Sequence, residues 1–130
     1  MANWTLQGFV GELFELGNRY VPPPPGIPAP VLWGVEDVVR QRLGAYSSEI
    51  RVVPRMANFD FPFVPREVVE FFRTYFGPAH VAFSMLPADA RAAYAADLEK
   101  LWREHNEQAD KQGDRTVVHG EYLEVTAIRA

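Results

Sequence analysis

Apolar residues recur along this chain with two different periods, and the switch between them divides it into elements. Leu6, Phe9, Val10, Leu13 and Phe14 fall at i, i+3, i+4, i+7 and i+8, the spacing that lines one face of a helix. Thr5 suits its N-cap and Gly17 its end, which predicts a helix of about three turns. A second helix is expected where Glu36 and Asp37 precede Val38, Val39 and Leu43, with both carboxylates in the first turn and Gly44 just past the last. The period then falls to two. Ile50 and Val52 alternate with Arg51, and Phe59, Phe61 and Phe63 alternate with Asp60 and Pro62, which predicts a strand near Ile50 to Phe61. Pro54 within it marks an edge or a bulge, because proline cannot donate to a neighbouring strand.

Helical spacing returns at Pro65, which suits the first turn of a helix carrying Val68, Val69, Phe72, Tyr75 and Phe76 until Gly77-Pro78 interrupts it. His80, Val81, Phe83 and Met85 fit a short helical or irregular piece. From Pro87 onward, Tyr94, Leu98, Leu101, Trp102 and His105 line one face of a long helix, with Arg91, Glu99, Lys100 and Arg103 on the other. Asn106 to Asp114 is polar and predicts a mobile loop ending in a Gly113-Asp114 turn. The stretch Thr116 to Ile128 is rich in β-formers. Leu123, Val125 and Ala127 point one way and Tyr122, Thr126 and Ile128 the other, so this strand is expected to be covered on both sides.

The first two helices are joined by a proline-rich elbow at residues 21–30. Pro22 to Pro25 predict a short polyproline II rod released at Gly26, a stiff spacer. A Pro-x-x-Pro ligand for a proline-binding domain is the alternative. Within 130 residues these elements make one domain, 1–130, able to bury a real core, and 48% hydrophobic residues with nine Phe, five Tyr and three Trp argue against disorder. A net charge of −4 gives no electrostatic reason to expect nucleic acid or an anionic membrane as partner. With no cysteine, disulfides, thiolate metal sites and cysteine nucleophiles all fall away. The start "MANWTLQGFVGEL" lacks the basic residues and continuous apolar core of a signal peptide, so a cytoplasmic protein is expected.

Four stretches, "ANWTLQGFVGELF", "YVPPPPGIPAPVLWG", "FPFVPREVVEFFRTYFGP" and "EYLEVTAIRA", together resemble the C-terminal half of class I S-adenosylmethionine-dependent methyltransferases of the bacterial small-molecule type. The resemblance implies an α/β fold, locally α+β: the C-terminal part of a Rossmann-like methyltransferase fold, with an antiparallel strand pair packed with four to five helices. It implies that Ala2 to Thr5 closes a central strand and that the elbow holds a cap helix near the carboxyl edge of the sheet, where open α/β sheets bind ligands. The Gly-rich cofactor loop and the acidic ribose-binding residue of the complete family have no counterpart, and the nine glycines never form Gly-x-Gly. No cofactor is therefore expected in this chain, although the complete family uses S-adenosylmethionine.

The three histidines lack the short spacing that places two metal ligands on one face, so no metal site is expected. His105 reads as a partly buried or helix-capping residue. His119, Glu121 and Tyr122 surround Gly120, and alternation puts His119 and Glu121 on one face, either as a surface pair or as an imidazole oriented by a carboxylate. His80 borders the acceptor pocket by resemblance. The candidate acid or base residues are thus His80, His119 and Glu121, and the candidate substrate-binding residues Trp4, Tyr20, Trp33, Tyr75, His80 and Tyr122. The expected function is a methyltransferase-like domain that binds a small, mostly apolar acceptor but cannot bind S-adenosylmethionine or transfer a methyl group alone. A stand-alone isomerase or cyclase, or a module completing a separate cofactor-binding chain, are the alternatives. Two strands with exposed edges predict a homodimer, with the last strand or the helix bearing Val68, Phe72 and Tyr75 in its interface.

Overall fold

The computed structural model describes residues 1–108 and 114–130. A three-residue strand, β1 (Ala2–Trp4), leads into helix α1 (Gly8–Tyr20). The elbow follows and ends in a 3₁₀ turn at Pro30–Gly34, helix α2 (Glu36–Leu43) and a second 3₁₀ turn at Gly44–Tyr46. The long strand β2 (Ser47–Phe61) precedes helices α3 (Pro65–Tyr75), α4 (Gly77–Met85) and α5 (Ala88–His105), and strand β3 (Thr116–Arg129) closes the order. Among the described residues the fold is mixed α/β: five helices and an antiparallel sheet of order β1-β3-β2.

Most predicted elements form where the periodicity places them, and the departures have local causes. Thr5 does not cap α1. Its hydroxyl donates to the Glu121 carboxylate at 2.9 Å, and Gln7 takes the cap position without a side-chain bond. Leu6 lies before the helix and is exposed, while Gly17 lies inside it and the helix runs on to Tyr20. Tyr75 was expected on the inward face of α3, yet as the last residue of that helix it is 74% exposed and packs on Phe71, while Val68 and Val69 further back are buried. The expected mobile loop falls largely on residues 109–113, which lie outside the described residues.

The sheet carries two cores on opposite faces. β2 and β3 pair in constant register from Glu49↔Ile128 to Phe61↔Thr116. Since side chains alternate, Phe59 and Phe61 share a face with Val118 and Thr116, whereas Ile50 and Val52 share the other with Val125 and Leu123. The first face packs on α1, α3, α4 and α5 around Phe9, Val68, Phe83, Leu98 and Trp102. The second packs on α2 and the 3₁₀ turn around Val39, with Trp33 and Leu43 against it. β3 is therefore covered on both sides as expected, each side along a different half of its length.

Crossing between these faces is the task of the elbow, which carries the chain from α1 on one face to α2 on the other past the β1 edge. Gly34 rests so closely on β1 that a Cβ there would stand 1.8 Å from the Trp4 carbonyl oxygen. The expectation that the two long strands lack neighbours is corrected by this topology. β3 is paired with β2 along its length and with β1 at Tyr122 to Glu124, so it has no free edge around those residues, and Val68 is fully buried within one chain. Around Tyr122 to Glu124 the last strand is thus occupied within the chain, whereas Phe71 and Tyr75 of α3 stay exposed. The outer edge of β2 stays open, with Pro54 at its middle and Glu49, Arg51, Arg55 and Met56 exposed along it, the charged, proline-bearing edge that discourages sheet extension.

Candidate functional site

Helices α1, α3, α4 and α5 meet over the first core but do not fill the space between them. They leave a partly open cavity of about 330 Å³. α1 contributes Leu13, Phe14, Gly17 and Asn18, with Val21 just beyond its end; α3 contributes Val69 and Phe72; α5 contributes Tyr94, Leu98 and Trp102. The fourth wall is Phe76 with α4, whose Gly77, Pro78, Ala79, Val81 and Ala82 are too small to close the gap. α4 is short, apolar on most sides and bounded by Phe76 and Leu86 in extended conformation, so the wall it makes is one short segment hung between two turns. No charged side chain of the described residues lines this space. Among the described residues that line it, Asn18, Tyr94 and Trp102 carry a polar side-chain group.

Tyr94 stands out among these. It is 4% exposed, its ring stacks between Phe83 at 4.8 Å and Tyr20 at 4.9 Å, and burial pushes its phenol above the usual tyrosine value. Opposite its hydroxyl is Gly17, where a Cβ would lie 3.4 Å away. The neighbouring Tyr20 hydroxyl is already committed: it donates to Asp97 at 2.6 Å, tying α1 to α5, and that carboxylate raises the Tyr20 phenol in turn.

The residues singled out by sequence are spread over both faces of the sheet. Trp4 and Tyr122 pack edge to face at 6.0 Å near the β1 edge, and Trp4 also meets Phe59 at 5.4 Å. Trp33 belongs to the second core, under the Arg42 guanidinium at 4.5 Å. Tyr75 is at the surface. His80 is exposed on α4, with Nδ1 3.1 Å from the Arg73 carbonyl oxygen. None of these six lines the cavity; Tyr20 touches its wall through Tyr94, and the neighbours of His80 along α4 line it while His80 itself points away. His119 and Glu121 do share a face, but each has its own partner. The His119 ring meets Asn58 at 2.6 Å and lies 3.6 Å from Glu107, while Glu121 accepts from Thr5. His105 is half-buried, 2.8 Å from Glu12 and against the Phe9 ring. Among the described residues no group of acidic or imidazole side chains could hold a metal ion, and no helix is long and apolar enough to cross a membrane.

What sequence reasoning missed are the small residues of the wall. Gly17 reads as a helix stop, and Ala79 and Ala82 carry no chemical signal. Only the clustering of Gly77, Pro78, Ala79 and Ala82 in one apolar helix could have marked a place where packing is deliberately incomplete.

No family model matches the chain. It is similar to three uncharacterized proteins, one from Mycobacterium bovis and two from strains of Mycobacterium tuberculosis, each 34% identical over 107 residues. The similar region covers 79% of this chain and 39% of each relative, so the chain spans well under half the length of the curated relatives it matches.

Proposed function

We propose that this chain is the acceptor-binding part of a methyltransferase-like protein and that it takes a small, mostly apolar molecule into the cavity between α1, α3, α4 and α5. The observation that carries the reading is the cavity itself: about 330 Å³ of largely carbon-lined space with very few polar atoms, the usual form and size of a small-molecule site. A void of this kind weakens a core, since its lining atoms forgo packing partners. A bound apolar molecule restores those contacts.

The Rossmann-like assignment draws support from the sheet. β2 and β3 form an antiparallel pair, and Ala2–Trp4 lies beside them as the third strand, in keeping with the sheet-edge pairing that the resemblance implies. The greater length of the relatives suits a part that works joined to another, including one that holds S-adenosylmethionine. The residues here do not fit that cofactor by themselves. Its sulfonium, amino-acid and ribose groups call for charge and hydrogen bonds, and the cavity has no charged side chain among the described residues. The reading as an isomerase or cyclase gains nothing from the structure, because His80 and His119 both lie off the cavity.

Titration with the neutral fluorophore N-phenylnaphthylamine tests the cavity as a binding site. One equivalent is expected to bind with a rise in emission, and Ala82→Trp, which fills the space, is expected to abolish it. Binding that survives Ala82→Trp would place the probe elsewhere and contradict the reading. Calorimetry with S-adenosylmethionine is expected to give no binding heat for this chain; micromolar binding would contradict the second half of the proposal.

A further inference from the structure

We propose that the Tyr94 hydroxyl is the specificity-determining group of this cavity, selecting neutral apolar molecules that carry one hydrogen-bond acceptor, such as a ketone or ether oxygen, over pure hydrocarbons. The inference rests on reading the cavity as a ligand site. Its starting point is a group without a partner in the chain: Tyr94 is mostly buried and lines the cavity, and its hydroxyl makes no hydrogen bond to the described residues but keeps some accessible surface. A molecule that fills the cavity strips this hydroxyl of water, and unless it supplies an acceptor the hydroxyl is left unpaired. Here the obvious polar neighbour is taken, since Tyr20 donates to Asp97. The residues lining the cavity are otherwise mostly apolar, and Gly17 lets the α1 backbone approach the hydroxyl, a Cβ there standing 3.4 Å from it.

Charge decides the class of ligand. A charged molecule would surrender its hydration to a space with no charged partner, so the ligand is neutral. Burial also holds the Tyr94 phenol in its protonated form through the neutral pH range, so it presents a donor, and the complementary group is an acceptor. Asn18 is exposed and can meet a second polar group, whereas Tyr94 and Trp102 are the buried lining residues that carry a polar side-chain group.

Acetophenone and ethylbenzene have nearly the same shape and differ in the carbonyl oxygen, so an NMR titration of the full chain with each isolates the contribution of the acceptor. Both are expected to shift the resonances of Gly17, Ala82 and Leu98. Acetophenone is expected to bind roughly three- to tenfold more tightly, the range for one neutral hydrogen bond. Tyr94→Phe is expected to erase that preference by weakening acetophenone while leaving ethylbenzene unchanged, the latter also reporting that the variant keeps its fold. Equal affinities in the parent protein, or a preference that survives Tyr94→Phe, would overturn the role of Tyr94 and leave the cavity standing as a site. Failure of both molecules to shift these resonances would overturn the cavity reading and the inference with it.

Discussion

Side chains from β1, β2 and α1 crowd onto Gly120 of β3. A Cβ there would meet the Phe59 ring at 2.8 Å, the Trp4 ring at 3.0 Å and Val10 at 3.1 Å, so three elements would have to part. Gly120→Ala is expected to destabilise the fold by about 1–3 kcal/mol, the usual cost of overpacking. Urea denaturation checks this through a lower midpoint at unchanged slope, and an unchanged midpoint would show that the rings give way freely. Tyr94 makes a second prediction at this scale. Its phenol is raised in the folded state by burial, so above the unfolded value near 10 the unfolded chain loses that proton while the folded chain keeps it. Stability is then present in full below that pH and falls as pH rises through it. The alkaline decline in melting temperature is expected to be shallower in Tyr94→Phe than in the parent, and identical profiles would count against desolvation of the phenol. Neither role was readable in advance. Gly120 sat in a motif notable for His119 and Glu121, and Tyr94 in a stripe that any core residue could have formed. Sequence chemistry favours residues that can do something, whereas a cavity is made largely by residues that are absent or small.

The helices were legible because each carries its own apolar period and its own punctuation: Glu36 and Asp37 at the start of α2, Pro65 at the first position of α3, and the Tyr94, Leu98, Leu101 and Trp102 stripe of α5. β1 was not, because three residues are too few to show a period, and it exists only through pairing with a strand more than a hundred positions away. The length of α1 was misjudged at Gly17, a helix-weakening residue that lies inside the helix, close against the Tyr94 hydroxyl. The elbow was legible as stiff, but not as a strap between two faces of one sheet. Its docking depends on Gly34, where a Cβ would collide with the backbone of Trp4. Gly34→Ala is expected to cost about 3 kcal/mol and to expose Trp33 and Val39. A red-shifted Trp emission with α1 still folded checks this, and unchanged emission would mean that the turn is not seated on β1.

At the scale of the whole molecule, the sheet is the partition between two unequal cores, and β3 belongs to both. Amide exchange is expected to be slowest in β3 between Val118 and Val125, which is paired in the sheet and covered by helices, and fast at the outward amides of β2. Comparable rates in the two strands would mean that β3 is not the centre of the fold. The strand count inferred from sequence suggested a sheet in need of a second copy, because a crossover that brings the last strand between the first two has no local signature. β1 pairs with β3 at Tyr122 to Glu124, and the outer edge of β2 carries charges and a proline that discourage further pairing there. The larger core holds the feature on which the functional reading depends. Crystals of the chain pressurised with xenon test it most directly, since apolar cavities take up xenon where polar or filled ones do not. The account predicts xenon density bounded by Phe14, Val69, Phe76 and Leu98. Helices closed tightly over that space, with no xenon between them, would contradict it.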